Sequence, residues 1–493
     1  MSRDQQSAQA VGLANPASSN SARAPLAEQI EKAYSGIKLN KAHYYILAML
    51  LLGVFFDSLE QNAVGITGPV LRKFWGLTTG DIGFLNTVTF TMVALGRLLT
   101  GAIADRYGRR TLLIVNLLIF AGGSLLCALA PNYAMLAVGR GIVGFGLGGE
   151  IAVAVVMASE YFGAKQRGTA VALINVTAAG FGNMLAPAFG ILVFTLFPGD
   201  DRWRWVFGLL FIPALLVIFF RRWVPETPRF LAQQGKIHEA NEVISRLATG
   251  NLTQKHVEVT EYITKPDATQ ANHRAMVPAL APGLEGTRMD IFRGKYLRRT
   301  IVLAIGVACS YAAQFSVLTL MTTILVASGY TVNTSLWYTL VMQSGSLVGA
   351  LTAAFFARRL PRKVTLSIAA VIGLAAAGVL GAIGGSTIGM IIVCGWIFNF
   401  AVIICNTTIW VFAPENYPTR IRGFGTAFIL AVGSLSGGLF PMIAGKIFDA
   451  YGLASMFGML ACLFLVIGLV IQLIRETLGQ PLEEEDEVPE AAR

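Results

Sequence analysis

Long apolar runs alternate with short polar or Gly/Pro breaks along the 493-residue chain. The runs predict helices near residues 43–70, 82–104, 111–130, 134–158, 168–194 and 203–222, and a second set near 297–327, 335–357, 365–384, 387–412, 423–446 and 453–474. About 20 apolar residues cross a bilayer core as a helix, and these runs have that length. Between the sets, residues 223–296 are polar. The expected organisation is a tail at 1–40, a six-helix bundle at 41–222, a central loop at 223–296, a second six-helix bundle at 297–474 and an acidic tail at 475–493.

Composition sharpens this picture. Hydrophobic residues make up 55% of the chain and charged residues only 13%, about half the charge of a soluble domain. Such a chain could not cover its surface in water, which excludes a soluble enzyme and extensive disorder. The net charge of +10 does not imply nucleic acid, because the bases sit in short loops between apolar runs. The five cysteines all lie inside apolar runs and read as single buried thiols. The four histidines are scattered, so no metal site is expected. No phosphate loop or Ser/His/Asp set is visible, so neither a cofactor nor an enzyme activity is expected. The first 40 residues lack an apolar stretch of signal-peptide type.

The two sets look duplicated. Glu160 precedes Arg167-Gly168 by the same seven residues that separate Glu415 from Arg422-Gly423, each pair after the fourth helix of its set. The fifth helix of each set then carries a proline, Pro187 or Pro441. Twin six-helix halves are an architecture of secondary transporters. The loops after helices 2, 4, 8 and 10 hold eleven bases and the opposite loops at most five, which predicts a cytoplasmic basic face and cytoplasmic termini.

The loop after the second helix reads GAIADRYGRR, with Gly101, Asp105, Arg106, Gly108, Arg109 and Arg110. Its spacing resembles the major facilitator superfamily signature G-x-x-x-D-[RK]-x-G-R-[RK]. The run 139–150, with Arg140 and Gly144, looks like that family's fourth helix, PETPRFL at 225–231 resembles the stretch after its sixth, and ENYPTRIRG at 415–423 is similar to the loop after its tenth. The resemblance implies an all-α membrane protein of twelve transmembrane helices in two pseudo-symmetric bundles. It also implies a gating latch built from the signature loop, with Glu160, Arg167, Glu415 and Arg422. The matching second-half loop, ARRLPRK at 357–363, lacks the aspartate, so its half of the latch is expected to be weaker.

Charges inside membrane helices point to function. Asp57, Glu60 and Gln61 stand at i, i+3 and i+4 of the first helix and share a face. At 1.5 Å per residue Asp57 lies roughly 21 Å along that helix, and Arg140 roughly 9 Å in from the opposite side on the fourth. An acid–base cluster is therefore expected, with Glu150 about 15 Å beyond Arg140. Carboxyl groups taken out of water can load a proton near neutral pH, so Asp57, Glu60 and Glu150 are candidate proton carriers. Arg140 is a candidate for holding an anionic substrate. The pattern Asp57, Glu60, Gly65 is similar to that of aromatic-acid and metabolite:proton symporters, although Ser58 and Leu59 stand where members usually have aromatics.

The second half offers Tyr311, Gln314, Gln343, Trp396, Asn399 and Asn406, with Phe315 and Trp410, for stacking on and hydrogen-bonding a small solute. The sugar-porter hallmark Q-Q-x-x-G-x-N is absent from the seventh helix, which counts against a hexose. The expected function is proton-coupled symport of a small organic anion, an aromatic or other carboxylate, by alternating access. An exporter or a carrier of cations, drugs or neutral metabolites is the alternative. The expected setting is a monomer in the cell membrane (the inner membrane of a Gram-negative cell), with protons, a small molecule and lipid as its partners.

Overall fold

The computed structural model describes residues 26–212, 219, 223–252, 257–264, 288–357, 359–383 and 387–477. Among the described residues the regular structure is helical. The first half holds α1 (Leu26–Gly36), α2 (Lys41–Trp75), α3 (Thr79–Tyr107), α4 (Arg109–Ala128), α5 (Tyr133–Tyr161), α6 (Ala164–Asn175), a π-helical stretch (Val176–Gly182), α7 (Asn183–Leu196) and α8 (Trp203–Leu209). Two short helices follow, α9 (Pro228–Gln233) and α10 (Ile237–Thr249). The second half holds α11 (Gly294–Ala327), α12 (Val332–Phe356), α13 (Arg362–Ile383), α14 (Ile388–Glu415) and α15 (Thr419–Val470).

Ten of the described helices are long and apolar enough to cross a membrane. One of these, α15, is two spans in series. It breaks at Gly452, whose φ of 79° is open to glycine and strained for other residues. The sixth span of the first half begins in α8, and residues 213–218 and 220–222 of the predicted helix lie outside the described residues. The whole is the twelve-helix, two-bundle arrangement that the hydropathy pattern predicts.

Local chemistry sets the helix limits. The Asn40 side chain accepts from the Ala42 amide at 3.0 Å to start α2, and left-handed Gly76 ends it. Asn132 caps α5 through the Met135 amide at 2.9 Å. The glycine run of α5 lets it sit between two neighbours. A Cβ on Gly144 would strike the Thr89 carbonyl of α3, and one on Gly146 would lie 2.6 Å from the Phe120 nitrogen of α4. The second half repeats the device, with Gly345 and Gly349 of α12 against the backbone of α14. Small residues at helix contacts are what lipid-embedded packing uses in place of a hydrophobic drive.

The two halves meet most closely near the face opposite the basic loops. Gly83 packs against the backbone of Met442, and Thr87 Oγ1 donates to the Gly438 carbonyl at 2.8 Å. The Gly80 amide donates to Asp449 at 3.2 Å. On the basic face, α1, α9 and α10 form a cap over the first half. Asn241 ties α10 to the backbone of Ile263, and Gln29 of α1 accepts from the Thr264 amide at 3.0 Å.

Candidate functional site

A cavity of about 110 Å³ lies between the halves. The first half contributes Ser58 and Gln61 of α2, Ile151 and Val155 of α5, Asn175 of α6 and Asn183 of α7. The second contributes Tyr311, Gln314 and Phe315 of α11, with Asn406, Thr407 and Trp410 of α14. No charged side chain lines it among the described residues. The π-helical stretch forms part of the wall through Ala178 and Ala179. Single π turns inside α-helices are common at functional sites, and here the turn separates Asn175 from Asn183, which both face the cavity.

The wall is a hydrogen-bonded frame. Asn406 donates to Gln314 and accepts from Ser310. Trp410 Nε1 donates to the Tyr311 hydroxyl at 2.8 Å, and the Tyr311 ring meets Phe315 edge-on with centroids 5.7 Å apart. Thr407 donates to Asn175 at 3.2 Å, a bond that crosses from one half to the other. The result is an aromatic slot edged with amide groups.

Behind that wall lie the buried charges. Gln61, on the cavity, donates to Asp57 Oδ1 at 3.1 Å. Asp57 Oδ2 and both carboxyl oxygens of Glu150 have no hydrogen-bond partner among the described residues, although each residue is buried. Glu150 and Asp57 interact electrostatically, and Asp57 also interacts with Arg97 and Glu60.

Glu60 and Arg140 form an ion pair with both side chains at 0% exposure. Ser124 donates to the second Glu60 oxygen at 2.8 Å, Arg140 Nε donates to Thr89 at 3.1 Å, and the guanidinium lies 5.8 Å from the centre of the Phe207 ring. Arg140 therefore spends its charge on Glu60 and does not line the cavity, against the expectation that it meets substrate.

Three of the expected second-half residues also lie elsewhere. Gln343 accepts from Ser346 at 3.0 Å within α12, Asn399 donates to the Gly395 carbonyl, and Trp396 donates to Ser344 while stacking on Phe400 at 6°. Helix rotation decides this, and span-level hydropathy does not carry it. Asn175, Asn183 and Thr407 join the expected residues on the cavity wall; an amide inside an apolar run is the signal for the two asparagines, and a threonine there carries none. Arg97, a charge inside the second apolar run, belongs with the buried groups through its interaction with Asp57.

The loop residues expected to form a latch assemble differently from their sequence spacing. Glu160 faces Arg109 at 3.6 Å, and Glu415 pairs with Arg362 at 3.1 Å. Arg167 instead pairs with Glu31 of α1 at 3.8 Å, and Arg422 donates to the Tyr417 carbonyl at 3.2 Å. The amides of Arg109 and Arg110 donate to Glu226 at 3.0 and 3.2 Å, while those of Arg362 and Lys363 donate to Glu476 at 2.9 Å each. A carboxylate thus caps the N-terminus of α4 in one half and α13 in the other. Of these two described pairs, that of the second half is the closer. The cap of that half comes from Glu476-Thr477, the counterpart of Glu226-Thr227, a repeat that the sequence itself carries. Gly108 (φ 92°) has no room for a Cβ beside Glu226. Arg106 is exposed and lies over the Tyr107 ring at 5.5 Å. Gly101 and Asp105 fall in α3, and their side-chain surroundings lie outside the described residues, as do those of Lys165, Arg358 and Arg420.

A two-halved helical bundle with a cavity at the joint and capped loops at one face is the architecture of a membrane transporter of the major facilitator fold. The chain belongs to the sugar (and other) transporter family, whose model matches residues 33–488. It is 30% identical over 452 residues to the niacin transporter NiaP of Acinetobacter baylyi, covering 91% of this chain and 97% of that protein. It is 26% identical over 405 residues to the 4-hydroxybenzoate transporter PcaK of the same organism, covering 80% and 82%. Among solved structures, a partially occluded inward-open xylose transporter XylE from E. coli superposes with a TM-score of 0.68 at 19% identity, covering 89% of this chain and 99% of that one. That likeness speaks to the fold.

Proposed function

We propose that the protein is a proton-coupled symporter of a small aromatic carboxylate, working in a cell membrane with its basic face in the cytoplasm. The observation that carries this reading is Gln61, which stands on the cavity wall and holds one oxygen of Asp57 while the other has no partner. A carboxylate bound about 6 Å from an ionised Asp57 would be repelled by about 3 kcal/mol at an effective dielectric near 20. Arg97 offsets part of that repulsion, but no cation lines the cavity wall among the described residues, so the anion binds more tightly when Asp57 carries a proton. Binding of anion and proton is then linked by electrostatics alone, and Gln61 transmits the state of Asp57 to the cavity. Glu150, buried with both oxygens unpartnered, is the second proton carrier. Glu60 is held by Arg140 and Ser124 and serves as the fixed brace of α2 against α4 and α5. The named substrates of the relatives, niacin and 4-hydroxybenzoate, are aromatic rings of the size and polarity that the slot of Tyr311, Phe315 and Trp410 suits.

Uptake of labelled nicotinate, benzoate and 4-hydroxybenzoate into proteoliposomes with an imposed pH gradient tests the proposal. The parent accumulates one of them against its gradient, and Asp57→Asn keeps counterflow exchange but loses accumulation. Accumulation by Asp57→Asn equal to the parent's would falsify the coupling. A second reading, carriage of a neutral polar solute such as a sugar, draws on the uncharged amide lining. It predicts uptake of neutral solutes in that assay and no competition by carboxylates.

A further inference from the structure

A second and larger cleft, of about 680 Å³, lies at the end of the molecule opposite the basic loops. It too spans the two halves. Arg72 and Lys73 at the C-terminal end of α2 and Arg202 just before α8 form one wall, and Thr323 of α11 and Val332 of α12 form the other. Three cations therefore stand around one carboxylate, Asp200.

The positive charge is only partly engaged: Arg72 Nε donates to the Leu77 carbonyl at 3.3 Å, and Asp200 interacts electrostatically with Arg202, which leaves one carboxylate among three cations. Lys73 and Asp200 are 3.9 Å apart with both side chains more than four-fifths exposed, a pair worth little in water. Arg202 lies over the Phe194 ring at 4.8 Å, which covers one face of the guanidinium, and its Nε is buried with no partner among the described residues. Thr323 is 1% exposed, lines the cleft, and its hydroxyl also has no partner. By contrast Arg204, on the same face, donates to the Ala128 carbonyl at 2.8 Å and ends α4. Cations at a helix C-terminus are favourable in themselves, which accounts for Arg72 and Lys73 as residues of α2. It does not account for Arg202, which stands at the N-terminus of α8, the end of the opposite sign.

We propose that this cleft is an anion-capture vestibule, in which a carboxylate solute docks between Arg72, Lys73 and Arg202 before it passes between the halves. The identity of the occupant rests on the reading of the transported solute as a carboxylate. The carboxylate pairs with the exposed Lys73 ammonium and the outer edge of the Arg202 guanidinium, and its ring rests against Val332. Fixed charge at the mouth raises the local concentration of anions and their rate of entry, while the inner cavity, which has no cation, sets release. Capture and coupling are thereby placed at different depths of one path.

The test uses the full-length protein in lipid nanodiscs, with Val332→Cys as the reporter and the mass shift of its peptide as the readout. In the parent background an anionic sulfonatoethyl methanethiosulfonate reacts faster at that position than its cationic trimethylammonium analogue, and benzoate slows the reaction. In Arg72→Gln/Lys73→Gln/Arg202→Gln the preference for the anionic reagent falls about tenfold, and protection by benzoate is lost. In the parent the preference also fades at 1 M salt, where the screening length is about 3 Å. Ala327→Cys, also on the cleft, is the second reporter if the first disturbs folding. An unchanged reagent preference in the triple variant, or no protection by benzoate in the parent, overturns the proposal. Labelling needs no transport, so a parent that takes up no carboxylate sinks the symport reading and leaves this result to stand or fall by itself.

Discussion

Arg97 of α3 and Ser434 of α15 join the two halves near the middle of the bundle. Arg97 Nη1 donates to Ser434 Oγ and to the Leu430 carbonyl, both at 3.0 Å. The same guanidinium interacts electrostatically with Asp57, in its own half. Arg97 is thus shared between the interface of the two halves and a carboxyl group with an oxygen that has no partner among the described residues. Replacing it with methionine removes both bonds and the cation beside Asp57. Arg97→Met is expected to lower uptake more than tenfold while leaving substrate binding within about threefold, since transition energies here turn on about 1.4 kcal/mol per decade. Arg97→Lys keeps the charge and recovers part of the rate. Single-turnover uptake beside equilibrium binding checks this, and equal losses in both would sink it.

Glu60 and Arg140 make a sealed pair whose partner groups are all protein. Removing one charge leaves the other buried and uncompensated, which costs about 3–5 kcal/mol. Glu60→Gln should therefore lower the melting temperature of the purified protein steeply. Glu60→Gln/Arg140→Met should regain most of it, because neither charge is then stranded. A Glu60→Gln protein as stable as the parent would show that the pair is not the brace described.

Trp410 Nε1 has the Tyr311 hydroxyl as its acceptor inside the cavity wall. Tyr311→Phe strands that indole N–H and costs about 1–3 kcal/mol. The expected result is a KM for the aromatic solute raised roughly tenfold or more, with the protein still folded. Trp410→Phe removes donor and ring area together and should affect large-ring solutes most. Uptake kinetics with a series of ring-substituted benzoates reads both, and parallel shifts across the series would argue that the slot does not touch substrate.

Glu226 and Glu476 play the same part in the two halves, each accepting from two successive backbone amides at a helix N-terminus. Loss of a charged cap is worth about 0.5–2 kcal/mol. Glu226→Gln and Glu476→Gln should destabilise by similar amounts and add when combined, because the sites are far apart. Thermal unfolding of the single and double variants checks this. A strong effect in the first half and none in the second would restore the asymmetry that the missing aspartate of the second loop suggests.

Much of this protein could be read from its sequence. Twelve apolar runs, two halves of nearly equal length and the signature at Gly101–Arg110 point to the fold class, because crossing a bilayer forces each span to satisfy its own backbone and to show its apolar length openly. Asp57, Glu60, Arg140 and Glu150 stand out for the same reason: a charge in such a run is conspicuous. Pairing and facing are different matters. Arg140 goes to Glu60 and away from the cavity, Glu160 goes to Arg109 in place of Arg167, and Trp396 turns from the path while Trp410 enters it. Those outcomes depend on helix rotation about its axis, on glycine contacts that draw α5 between α3 and α4, and on a π turn that resets the register after Asn175. A chain whose helices are apolar on every side carries little record of which side faces which neighbour. The membrane fixes what crosses, and only the packing of crossing helices decides what meets.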